Sequence, residues 1–157
     1  MSPFHVRATG WSLRGSALAA LLAASTAVAG ERINKDADGV AILGYDTVAY
    51  FTHGQPVKGS PDFEYVWQDA RWRFASAAHR TLFAGDPDHY APQFGGFCTG
   101  GMGFGVLVPI IDPEAWVIVD GRLYLHNDKE GRDETAADPQ GRIAAAAEQW
   151  QALGKTP

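Results

Sequence analysis

One thiol and a few soft donors carry most of the chemistry open to this chain. Cys98 is the only cysteine among 157 residues. It lies in GGFCTGGMGFG, residues 95–105, where six of eleven positions are glycine and the backbone is unusually free. Met102 follows four residues later, and beyond the N-terminal stretch the histidines are His53, His79, His89 and His126. A thiolate, a thioether and one or two imidazoles form a soft donor set suited to Cu(I) or a blue-copper-like centre. The same thiolate is also a nucleophile, able to cycle through a sulfenate or through a mixed disulfide with an external thiol partner. Reactivity of that kind requires the anion, which a cationic neighbour or a concave nest of backbone N–H groups would stabilise. A third reading makes Cys98 a small buried hydrophobe and the glycines a run of tight turns.

Other chemistries lack their motifs. The glycine segment has no Lys-Ser/Thr ending and does not fit G-x-G-x-x-G, so it is not a phosphate cradle. There is no C-x-x-C for a self-contained dithiol enzyme and no C-x-x-C-H for covalent haem. Neither G-x-S-x-G nor H-E-x-x-H occurs, which leaves a hydrolase without support. A single cysteine cannot supply the thiolates of a closed structural zinc site. Asp112 and Glu114 have the residue types for acid–base work, but the DPEAW turn accounts for them.

The elements that must position these donors begin after a leader. Arg7 and Arg14 precede the apolar run Ser16–Ala29, which ends in Ala27-Val28-Ala29 and gives way to polar ERINKDADG. This is the pattern of a secretory signal peptide over residues 1–29, cleaved after Ala29, with no twin arginine. The apolar run is about 14 residues, short of the roughly 20 that span a bilayer, so no stable membrane insertion is expected after cleavage. The destination is the periplasm or the outside of the cell. Removing the leader leaves 11 Lys plus Arg against 18 Asp plus Glu, a formal charge of −7. So acidic a chain, without a basic run, is no nucleic-acid or anionic-lipid binder. An exported chain with one cysteine has no internal disulfide, and its thiol calls for a metal, a partner thiol or burial.

Residues 30–40 read as a loose polar arm before a single domain over 41–154. Asp46 caps a short helix ending at Gly54. FEYVWQDARWRFA alternates around Gln68–Ala70 and reads as a hairpin. Ser76 caps AAHRTLFAG, and Asp86-Pro87 opens a helical turn through Tyr90. VLVPII, residues 106–111, reads as the end of a strand with Pro109 at an edge or bulge. In AWVIVDGRLYLH, Asp120-Gly121 predicts a tight hairpin turn. Asp138-Pro139 opens a C-terminal helix with Ile143, Ala147 and Trp150 on one stripe. Trp67, Trp72, Tyr90 and Trp116 read as core. The sum is an α+β fold: a small antiparallel sheet of hairpins packed with short helices and a C-terminal helix.

GYDTVAYF (Gly44–Phe51), the W-x-F-x-S run Trp72–Ser76, FAGDPDHYAPQFGGFC (Phe83–Cys98) and DPEAWVIVDGRLYL (Asp112–Leu125) together resemble the bacterial YHS domain-containing proteins. The likeness is to their exported branch, whose members include selenoproteins, and it covers roughly residues 33–153. It implies metal handling, copper above all, commonly through a cysteine pair in F-C-S-x-x-C. Here that stretch is Phe74–His79, with Ala75 at the first cysteine position and His79 at the second. The selenocysteine or cysteine of the exported branch falls on Cys98, which implies a chemically active chalcogen. The resemblance singles out Cys98 and His79, and with Met102, added from the soft-donor spacing as a weak third ligand, they make the expected copper-binding set of an exported module. A mono-thiol redox enzyme at Cys98, or a scaffold with an inert cysteine, are the alternatives.

Overall fold

The computed structural model describes residues 32–154; the expected leader and its cleavage point lie outside them. Polar caps punctuate the chain as expected. The Asp46 carboxylate accepts from the N–H groups of Val48 and Ala49 and starts α1, Thr47–Thr52. The first hairpin follows, with β1 (Ser60–Trp67) antiparallel to β2 (Ala70–Phe74) and Tyr65 opposite Trp72. Its two-residue turn puts Gln68 and Asp69 at φ 49° and 55°, the left-handed conformation that matches strand twist, here without glycine. Ser76 Oγ accepts from His79 N and opens α2, Ala77–Gly85. Asp86 closes α2 and caps α3, Pro87–Tyr90, with proline in the first turn. The second hairpin pairs β3 (Trp116–Val119) with β4 (Arg122–Leu125) across Asp120 and Gly121, at φ 49° and 71°.

The fold is α+β, and its strands form two separate two-stranded antiparallel sheets, one for each hairpin. Helices and loops carry the chain from one to the other. The glycine segment contains a short helix, α4, Thr99–Gly103, with Cys98 at its N-cap. A further helix that the sequence did not suggest, α5, spans Lys129–Ala137. Only Thr135 of α5 is buried, so the helix carries no apolar stripe; the Asp128 cap, accepting from Gly131 N, is its local signal. Arg142 of α6 (Pro139–Leu153) pairs with Glu134 of α5 at 2.7 Å.

Two expectations are corrected. VLVPII is not a strand: the segment joins no ladder, Val108 N turns back onto Val106 O, and the Val108 carbonyl accepts from Cys98 N at 2.9 Å. Pro109 has no N–H to offer a ladder. Nor are residues 32–40 loose. Asn34 is buried, donates from its backbone to Gly95 O and from Nδ2 to Gly96 O, and accepts from Ile42 N. Lys35 reaches Asp69 in the first hairpin turn, and Val40 bridges to Arg71. Polar composition conveyed mobility because its partners lie about thirty to sixty residues downstream.

Two apolar clusters hold the elements. The larger gathers Ile42, Val48, Tyr50, Trp72, Phe74, Phe83, Ile110, Leu123 and Leu125. Phe83 is its hub, wholly buried, with the rings of Tyr65, Trp67, Trp72 and Phe74 at centroid distances of 5.0–6.1 Å. Truncating such a ring to alanine costs about 3–5 kcal/mol. The smaller cluster gathers Phe94, Met102, Tyr124 and Ala146, with Ile143, Ala147 and Trp150 of α6 against it. Ile42 is unusual, a β-branched residue at φ 50°, but it is completely buried, and this turn delivers Tyr45 and Asp46 to the start of α1.

Candidate functional site

His79 stands in the first turn of α2 because Ser76 caps that helix three residues earlier. Its imidazole turns toward the start of α1. There the Asp46 carboxylate is completely buried and fully used: Oδ1 accepts from Val48 N (2.9 Å) and Ala49 N (3.3 Å), and Oδ2 from Ala75 N (2.8 Å) and His79 Nδ1 (2.6 Å). That carboxylate oxygen already accepts from Ala75 N, so the 2.6 Å contact makes Nδ1 the donor to it. Nδ1 is thereby committed to Asp46, and Nε2 is the ring nitrogen left for other partners. Nε2 lies 3.2 Å from Thr52 Oγ1, which is also 3.1 Å from Val48 O. Thr52 and His53 are exposed, and the His53 ring sits 5.1 Å from that of His79. One edge of the imidazole is therefore anchored in the interior while the other meets side chains at the surface.

Cys98 is in a different setting. It is 8 % exposed, its N–H is bound by Val108 O, and its carbonyl accepts from Met102 N. No N–H group of α4 caps back onto its side chain, so the expected cradle around the sulfur is not formed. The glycines serve close packing instead. Gly95 has φ 62°, and a Cβ there would land on the carbonyl oxygen of Arg32, in the segment that Asn34 anchors. A Cβ on Gly101 would come within 2.7 Å of Val108 Cγ2. Met102, one turn on from Cys98, is wholly buried among Phe94, Tyr124 and Ala146, the surroundings of core filler.

The expected copper set is thus divided. His79 lies on α2, which packs against α1, α3 and the first hairpin, whereas Cys98 and Met102 belong to α4, which packs against α5, α6 and the turn at 93–96. Among the described residues no three His, Cys, Asp or Glu side chains group as a metal set. Of the remaining histidines, His89 is exposed beside Phe51 and Tyr90. His126 is wholly buried, with Nε2 at 2.9 Å from Thr135 Oγ1 and no partner for Nδ1. Burial pushes its pKa down from 6.5 to about 4, so this ring is neutral at ordinary pH.

Asp46 read from sequence as a helix cap, and it is one; its second task, orienting an imidazole 33 residues away, has no local signature. Thr52 was equally silent, and His53 stood out only as one of four histidines. Among the described residues no helix is long and apolar enough to cross a membrane. Compared with family models, with curated proteins and with solved structures, the chain finds no match.

Proposed function

We propose that the protein is an exported binding module for a late transition metal, with copper the first candidate, and that its metal is held at His79 rather than at Cys98. The observation that carries this reading is the 2.6 Å contact from Asp46 to His79 Nδ1. Metal-binding imidazoles commonly donate their second N–H to a carboxylate, which fixes the ring and raises the basicity of the ligating nitrogen. Asp46 is tied to three backbone N–H groups, so the ring is aimed before any ion arrives. The resemblance to YHS proteins points to the same residue, since His79 stands where their second cysteine falls. A mono-thiol enzyme draws less support, because the Cys98 sulfur is buried and without a capping donor.

Equilibrium dialysis of the purified, tag-free, reduced protein against Cu(II) and Zn(II) tests the reading. One equivalent should be retained by the wild type and by Cys98→Ser, and lost from His79→Gln with the fold checked by circular dichroism. Binding abolished by Cys98→Ser and kept by His79→Gln would return the function to the thiol.

A further inference from the structure

Resting on that reading of His79, we infer that His53 is its second ligand and that the ion is a divalent, nitrogen-preferring one, Cu(II) above Zn(II), rather than Cu(I). His53 ends α1 and His79 begins α2, and these two helices pack together. Two imidazoles on one ion, each with a metal–nitrogen distance of about 2.0–2.1 Å, hold their ring centres roughly 4.5–5.2 Å apart at angles between square and tetrahedral. The observed separation is 5.1 Å, with the planes inclined by 40°. His53 is exposed and can turn its ring without leaving a buried gap.

Thr52 makes the exchange inexpensive. Its single hydroxyl hydrogen has two acceptors within reach, His79 Nε2 at 3.2 Å and Val48 O at 3.1 Å. When an ion takes the Nε2 lone pair, the hydroxyl donates to Val48 O and no polar group is left unsatisfied. The rest of the coordination shell comes from water, because the site lies at the surface beside exposed Thr52 and His53.

The donor set then decides the ion. Imidazole nitrogens and water oxygens suit Cu(II), Ni(II) and Zn(II), and the affinity order for such donors peaks at Cu(II). Cu(I) prefers thiolate and thioether sulfur, and Cys98 and Met102 pack with other elements. One ring is fixed through Asp46 and the other is free to move, so the site closes by the movement of His53 alone.

The test is Cu(II) electron paramagnetic resonance with calorimetric titration, on a tag-free Cys98→Ser background that removes thiol oxidation. The variants are His53→Gln, with His89→Gln as an exposed-histidine control and His79→Gln as reference. Two-imidazole superhyperfine coupling is expected in the parent and in His89→Gln. His53→Gln should keep the fold, show one coupled imidazole, and bind at least about tenfold more weakly, as loss of even an outer partner of a ligand does. Unchanged coupling and affinity in His53→Gln, with binding lost in His79→Gln, would overturn the second ligand and leave the His79 reading intact. Binding kept in both would overturn the two together. Tight Cu(I) binding by the wild type that Cys98→Ser abolishes would overturn the assignment of the ion.

Discussion

The segment around Cys98 and the junction of α1 with α2 are both candidates for chemistry, yet they are built on opposite plans. Around Cys98 the backbone closes in. Gly95 admits the Arg32 carbonyl, Gly101 admits Val108, and the sulfur ends up covered without a donor directed at it. Around His79 a buried carboxyl group aims a ring whose far edge reaches exposed side chains. A reactive residue type in flexible-looking sequence thus marks packing, while an ordinary helix-capping aspartate supports the poised group. What distinguishes them is the partner of each atom, and partners are set by the fold.

The comparison can be pressed hardest at Asp46. Asp46→Ala removes the acceptor of three backbone N–H groups and of His79 Nδ1, and should lower stability by about 4 kcal/mol in urea unfolding. If Asp46 is only a cap, the loss will stay at about 1 kcal/mol. Gly95→Ala probes the other region. The new Cβ meets the backbone of residue 32 at a positive φ, and a loss of about 3 kcal/mol is expected, read from the same unfolding midpoint.

A buried imidazole bonded to a hydroxyl rather than to a carboxylate sharpens the contrast through pH. Folded His126 takes up a proton only near pH 4, whereas the unfolded ring does so near 6.5, so the unfolded state binds more protons between these values. Stability from this residue is complete above about pH 6.5 and is lost as pH falls toward 4, a change of about 3 kcal/mol. Urea midpoints measured across that window should fall with pH in the wild type, and the slope should flatten in His126→Gln. The smallest effect belongs to Cys98→Ser, which places a hydroxyl at a buried site without capping bonds and should lower stability by about 1–2 kcal/mol. A larger loss, or rapid alkylation of the folded wild type, would show the sulfur engaged or accessible.

Local features were legible in the sequence and long-range ones were not. Asp46, Ser76, Asp86 and Asp138 cap the helices they precede, and Asp120-Gly121 turns its hairpin, because each acts within four residues of itself. α5 was missed because nearly all its residues face water and periodicity had nothing to detect. The anchoring of residues 32–40 depends on Gly95 and Gly96, and the aim of His79 on a carboxylate 33 residues earlier. Neither leaves a trace in spacing. The same holds for Cys98: solitude and glycine neighbours announced a special residue without revealing that the glycines face Arg32 and Val108.

The central claim, that His79 rather than Cys98 is the metal-responsive centre, is tested most directly by long-range ¹H–¹⁵N correlation of the histidine rings. Zn(II), which is diamagnetic, would be titrated into the reduced wild-type protein. The account predicts a large shift of His79 Nε2 with Nδ1 still protonated against Asp46, a matching shift of His53, and unmoved His126 and Cys98 signals. A shift of the Cys98 Cβ toward metal thiolate values, with the His79 ring unchanged, would contradict it.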